Sequence, residues 1–392
     1  MNNIVKHYIY TGVWAIVILF TAGGMIQNFF VNIGFSPNHI GIYTSMINII
    51  QIAIMVFGIF SSDNVKNVKR TMAFLAFGPV LTCVAMLPAC FIFDINIEIM
   101  FFTAIVCCCV QNLFVGFKNV LAYRLPYLII DMKDYTKLTN VGTVISGVIS
   151  IGAGVLITYL STAFPFRYVM AVGFLLSIVC CITASVLIGS MKTKNIEVSK
   201  EKNDFSVKKL ARKDFAYFYI PNFARGMANG LVSVIAVICS AEITSDPTVI
   251  SALITILSIA SIVGCTSYQK VSRKIKTRTA YLISSIIMCV FLPLMVIGRS
   301  VSAFCIFFFL AGIGYHVVAV TGAVYAAEIM TYDDMGTYTS VRLIVMTAGQ
   351  ATASFLVGAL TGKIPVFVIM LAGGLCQLIS GIMFYLYKKN KN

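Results

Sequence analysis

The run Pro221-Asn222-Phe223-Ala224-Arg225-Gly226-Met227-Ala228-Asn229-Gly230 spaces Asn222, Arg225 and Asn229 at i, i+3 and i+7. On a helix that spacing puts all three on one face. A guanidinium flanked by two amides can hold a carboxylate or a phosphate through paired hydrogen bonds. The competing reading is an arginine paired structurally with a carbonyl or an acid. No Asp or Glu falls at that depth in the sequence, which favours anion binding. His316, preceded by Tyr315, is a candidate substrate ligand and coupling group, because an unperturbed imidazole changes charge near neutral pH. Its alternative is a buried neutral ring bonded to a Ser or Thr. Gln111 and Lys118 lie seven apart and share a face, with Lys118 expected to snorkel towards water. Trp14 and Asn28 continue a polar stripe through Tyr10, Thr21 and Gly24; the ordinary role of Trp14, the chain's one tryptophan, is an interfacial anchor.

The elements that carry these residues are membrane helices. The chain has 392 residues, 59% of them hydrophobic and 11% charged, far below the charged share of a soluble domain. A bilayer core takes about 20 apolar residues per helix. Runs of that length fall at 8–31, 39–60, 71–92, 99–122, 138–161, 166–190, 215–240, 248–268, 279–298, 301–327, 340–361 and 364–387. The fold class is therefore an all-α membrane protein with twelve transmembrane helices. Of the 29 basic residues, 23 fall in segments that share one side, three (Arg167, Arg299, Lys363) fall on the other, and Lys118, Arg225 and Arg342 fall within spans. The positive-inside rule places both termini in the cytoplasm, and the plasma membrane is the expected location. The same placement accounts for the net charge of +15 without a nucleic-acid partner.

The chain divides into a first half at 1–190, a cytoplasmic segment at 191–213 and a second half at 214–392. The halves echo each other. Gly58 precedes Lys66, Lys69 and Arg70, as Gly264 precedes Lys270, Lys274 and Lys276. Asp131, Asp134, Tyr135 and Thr136 match Asp333, Asp334, Thr337, Tyr338 and Thr339 at a similar offset, the mark of an internal duplication. On these features the chain resembles the major facilitator superfamily. Its segments from Leu125-Pro126-Tyr127 to Lys137 and from Ala327-Glu328 to Arg342 are similar to the glycoside–pentoside–hexuronide:cation symporter group. The resemblance implies two six-helix halves working by alternating access. It assigns Asp131, Asp134, Asp333 and Asp334 to cytoplasmic turns that gate the cycle. Sodium symporters of that group place carboxylates on helices two and four; here Asn48 and Gln51 are the comparable polar groups, which argues against sodium.

The expected function is a monomeric secondary transporter of a small polar or anionic organic solute, with protons as the candidate coupling ion. Export of drugs or lipids uses the same fold. The rival class is a prenyltransferase-like membrane enzyme holding Mg²⁺–diphosphate on Asp131, Asp134, Asp333 and Asp334. Helix capping in a duplicated turn explains those acids without catalysis. No cofactor is expected. No metal site is expected either, because three His are scattered and the twelve Cys lie mostly in apolar runs. Reporter fusions after Lys209 and after Asp246 should report opposite sides of the membrane; the same side for both would exclude the twelve-span topology.

Overall fold

The computed structural model describes residues 2–22, 24–61, 65, 67–92, 96–122, 125, 129, 135–193, 216–272, 274–329 and 335–387. Among them the regular structure is helical, with an isolated bridge between Thr361 and Ile364. Eleven helices are long and apolar enough to cross a membrane, and a bent pair supplies the twelfth span.

The first half begins with a broken span, α1 (Asn3–Thr21) followed by α2 (Gly24–Ile33). Span two is α3 (Pro37–Ser61), and span three is α4 (Val68–Leu75) and α5 (Gly78–Met86), closed by a 3-10 turn at Leu87–Cys90. Spans four to six are α6 (Ile97–Ala122), α7 (Tyr135–Ala163) and α8 (Phe166–Ser190). In the second half, α9 (Ala216–Ser233) and α10 (Ile235–Glu242) form the bent seventh span. Spans eight to twelve are α11 (Pro247–Val271), α12 (Thr277–Ile297), α13 (Val301–Ile329), α14 (Met335–Leu360) and α15 (Val366–Leu386). Two compact units emerge: 1–200 with 246–255, and 201–245 with 256–392.

Each half opens with an interrupted span. At the end of α1 the backbone of Ala22 is extended, at φ −144° and ψ 161°. In span seven the interruption falls at Val234, where α9 and α10 meet at 54°. Pro221, Gly226 and Gly230 are residues at which a helix can bend or open, yet span seven is not interrupted at any of them. Pro221 lies inside α9. The glycines instead seat α9 against α14, backbone on backbone: a Cβ on Gly226 would lie 2.1 Å from the Met346 carbonyl oxygen, and one on Gly349 2.3 Å from that of Phe223. Small residues at a crossing are the usual means of bringing membrane helices this close, since lipid gives no hydrophobic incentive for bulkier contacts.

Packing repeats from half to half. In the first unit α1 packs on α7 and α8, and α5 on α6 and α8; in the second α9 packs on α14 and α15, and α12 on α13 and α15. The entries to spans six and twelve match as well: Pro165 has φ −53° and ψ 131°, Pro365 φ −54° and ψ 130°. A third correspondence concerns charge. Lys69 Nζ at the start of span three donates to the carbonyl of Met191, the C-cap of α8, at 3.0 Å. Arg278 at the start of span nine donates through Nη1 to the carbonyl of Tyr387, the C-cap of α15. A cation there satisfies an orphan carbonyl and opposes the negative end of the helix dipole. Lys6 adds a bond to the Ser190 carbonyl at 2.6 Å. These basic residues thus bind helix ends as well as setting topology. Lys69→Ala and Arg278→Ala should each lower the melting temperature of the purified protein, by a loss of about 0.5–1.5 kcal/mol. An unchanged melting curve in both variants would mean that the bonds contribute nothing.

Candidate functional site: buried cations in each unit

In the second unit the site is built on α9, α12, α13 and α14. Arg225 lies nine residues into α9, about 13 Å from its start at 1.5 Å per residue, and is 4% exposed. Its Nε and Nη1 are buried with no hydrogen-bond partner. Arg342 on α14 is 8% exposed, its Nε also unpartnered, and the two guanidinia lie within electrostatic reach of each other. Tyr281 of α12 lies beside Arg225; its hydroxyl pairs with Ser380 Oγ at 2.8 Å and its ring packs edge-on against Phe384. Gly322 of α13 makes room for the assembly. A Cβ there would lie 2.5 Å from Arg225 Nη1 and 3.1 Å from Tyr281 Cε2. Glu98, Glu242, Asp246 and Glu328 all lie close to helix ends, and the one ion pair among the described residues joins His39 to Glu98 at 3.6 Å. A charged group at membrane depth costs about 2.5–3.5 kcal/mol on insertion scales.

The amides flanking Arg225 behave differently from each other. Asn222, fully buried, gives its Nδ2 to the Phe218 carbonyl of its own helix at 2.6 Å and leaves Oδ1 unpartnered. Asn229 turns to Met346 Sδ at 3.7 Å. All three side chains are buried in the second unit. Tyr315 lies within electrostatic reach of Arg225, and its ring meets the His316 ring edge-on at 5.0 Å. His316 Nε2 is buried without a partner, while the ring bonds the Leu257 backbone. In the alternative reading of a buried neutral ring, its partner is thus a main-chain group in place of a Ser or Thr.

In the first unit Lys118 of α6 is 1% exposed, so the expected snorkelling does not occur. Its ammonium donates to Tyr10 Oη at 2.8 Å and sits 3.2 Å from the centre of the Trp14 ring. Trp14 is accordingly a platform for a buried cation, packed with Tyr10 against Met72, Leu121 and Ile188, and not an interfacial anchor. The electron-rich face of an indole attracts a desolvated ammonium by about 2 kcal/mol. Gln111, 2% exposed, donates to the Thr21 carbonyl at 3.2 Å, at the turn where span one is interrupted, and keeps Oε1 unpartnered. Asn28 donates to Ser251 Oγ and to the Pro247 carbonyl, both at 3.0 Å. Gln111 and Asn28 are therefore held by protein groups and do not join the Lys118 cluster. Asp131, Asp134, Asp333 and Asp334 lie outside the described residues. No group of three or more metal-ligating side chains occurs among the described residues.

Tyr281 and the pairing of Arg342 with Arg225 escaped sequence reasoning. Tyr281 has Arg278, Ser284 and Ser285 at helical spacing, but its hydroxyl partner, Ser380, is far away in sequence, and Arg342 reads as a residue at the mouth of a span.

Residues 218–392 match the family model described as Major Facilitator Superfamily. No curated protein sequence matches the chain. Its fold is that of several solved transporters. The nucleoside transporter NupG is 14% identical, with a TM-score of 0.68 over 99% of this chain and 100% of the other. A D-xylose–proton symporter is 9% identical, with a TM-score of 0.73 over 98% and 96%. The inward-open xylose transporter XylE from E. coli is 10% identical, with a TM-score of 0.71 over 99% and 97%. The chain is a multi-pass membrane protein with the major facilitator fold.

The single tryptophan makes the first cluster directly observable. Lys118→Met should change the intensity and position of Trp14 emission in folded protein, because the charge over the ring is lost. An emission spectrum identical to that of the unsubstituted protein would refute the contact.

Proposed function

We propose that the chain is a secondary transporter of a small anionic organic solute, working by alternating access of its two halves in the plasma membrane with both termini cytoplasmic. The observation that carries the reading is Arg225, buried at membrane depth with two guanidinium nitrogens unpartnered and no described acid beside it. A structural arginine would be neutralised by the protein; one left unpaired waits for a solute. Asn222, with its free carbonyl oxygen, and Tyr315 are the neighbours suited to orient that solute. The match of residues 218–392 to the family model supports transport over the prenyltransferase-like alternative. NupG and XylE carry a nucleoside and a xylose, which supports a small polar cargo.

Coupling to protons is the companion proposal. A sodium ion in a low-dielectric cavity needs several oxygen ligands and, as a rule, a carboxylate. The interior described here instead offers Lys118, Arg225, Arg342 and His316, and the unpaired Nε2 of His316 is the group placed to exchange a proton. A chain of this kind needs no second copy to complete the site, in keeping with a monomer.

In proteoliposomes, Arg225→Ala should reduce uptake of an organic anion at least tenfold, with Arg225→Lys retaining part of it, since an ammonium cannot reproduce the paired bonds of the fork. Uptake should respond to a pH gradient and not to replacing sodium by potassium. Full uptake in the alanine variant would reduce Arg225 to a structural residue, and sodium dependence at fixed pH would end the proton reading.

A further inference from the structure

We propose that Gly322 is a positioning residue for Arg225: its missing side chain sets where the guanidinium stands, and so how an anion is held. The inference rests on the anion reading above and adds the residue that aims the fork. Gly322 lies inside α13 and is not one of the described glycines with positive φ, Gly34 and Gly362. Its backbone is therefore open to any residue, and alanine is the better helix former. The glycine is explained by what stands beside it. A Cβ there would lie 2.5 Å from Arg225 Nη1, 3.1 Å from Tyr281 Cε2 and 3.5 Å from Arg225 Cζ. The tip of the guanidinium fills the volume that a methyl group would take.

How each neighbour is held decides which one yields. Tyr281 is anchored twice, by the 2.8 Å bond to Ser380 Oγ and by its ring against Phe384, 4.9 Å between centroids. Arg225 Nε and Nη1 have no hydrogen-bond partner, so packing, and not a bond through those atoms, keeps them in place. A methyl group at 322 would push the end of this long side chain aside and leave the helices where they are. Gly314, earlier on the same helix, differs in kind. A Cβ there would lie 2.9 Å from the Ser284 carbonyl oxygen of α12, and main chain yields only if a helix moves. One glycine of α13 seats a helix; the other seats a charge. A paired contact to an anion depends on angle as well as distance, so a displaced fork binds more weakly with its charge intact. Lysine at 225 supplies an internal check. Its ammonium stands where Cζ did, at an ordinary 3.5 Å from a Cβ at 322, and no atom replaces Nη1.

The test uses the full chain, with melting and calorimetric binding measured in lipid nanodiscs and uptake in proteoliposomes at fixed pH and ionic strength. The probes are acetate, benzoate and inorganic phosphate. Gly322→Ala should melt within about 2 °C of the unsubstituted protein and lose at least fivefold in affinity or uptake. Gly314→Ala should melt clearly lower. In the Arg225→Lys background, Gly322→Ala should change either readout less than twofold, because the clash that couples the two positions is gone. An unaltered affinity and uptake in Gly322→Ala, or the same loss in both backgrounds, would overturn the inference and leave the anion reading intact. Misfolding of Gly322→Ala, or a melting loss as large as that of Gly314→Ala, would do the same by making Gly322 a packing residue. Neither binding nor uptake of any probe by the unsubstituted protein would remove both.

Discussion

Hydrocarbon offers no partner to a charged or hydrogen-bonding group, so every such group at membrane depth must be satisfied by the protein, by trapped solvent or by cargo. This constraint sorts the polar residues of the chain. Gln111 spends its amide on a carbonyl exposed where span one is interrupted. Asn28 is bonded twice, and Lys118 is held by a hydroxyl and an indole face. Once these are set aside, Arg225 and Arg342 remain as buried cations with guanidinium nitrogens, Nε and Nη1 of the first and Nε of the second, that lack a partner. Their distinction from the other buried polar groups is physical, resting on what each side chain touches.

The same constraint explains why so much of the fold was legible in the sequence. A span must be apolar for its full length, so the twelve runs read from composition fall close to the observed helices: 166–190 coincides with α8, and 279–298 lies within two residues of α12. What stayed illegible depends on a neighbour. The crossing of α9 and α14 requires Gly226 and Gly349 to meet, and they are more than a hundred residues apart; read alone, a glycine beside a proline suggests a hinge. The true interruption of span seven, at Val234, carries no composition signal at all. Lys118 was misread for a similar reason. Its distance from the helix end permits snorkelling, and only the placement of Tyr10 and Trp14 on α1 shows that the ammonium has a closer partner.

The duplication is also deeper than its sequence traces. Few residues match between the halves, yet both have an interrupted first span, the same proline entry to the last, and a cation from the third span closing the end of the sixth. Lysine serves in one copy and arginine in the other, because a terminal carbonyl asks only for a donor carrying positive charge. What persists between the copies is therefore the electrostatic task and not the side chain.

The glycine contacts between α9 and α14 bear on how the second unit can deform. Gly226 and Gly349 rest main chain on main chain. Side chains can swing between rotamers; abutting backbones leave little to adjust. The two helices are thereby tied into a single strut, and a shift of one must carry the other with it.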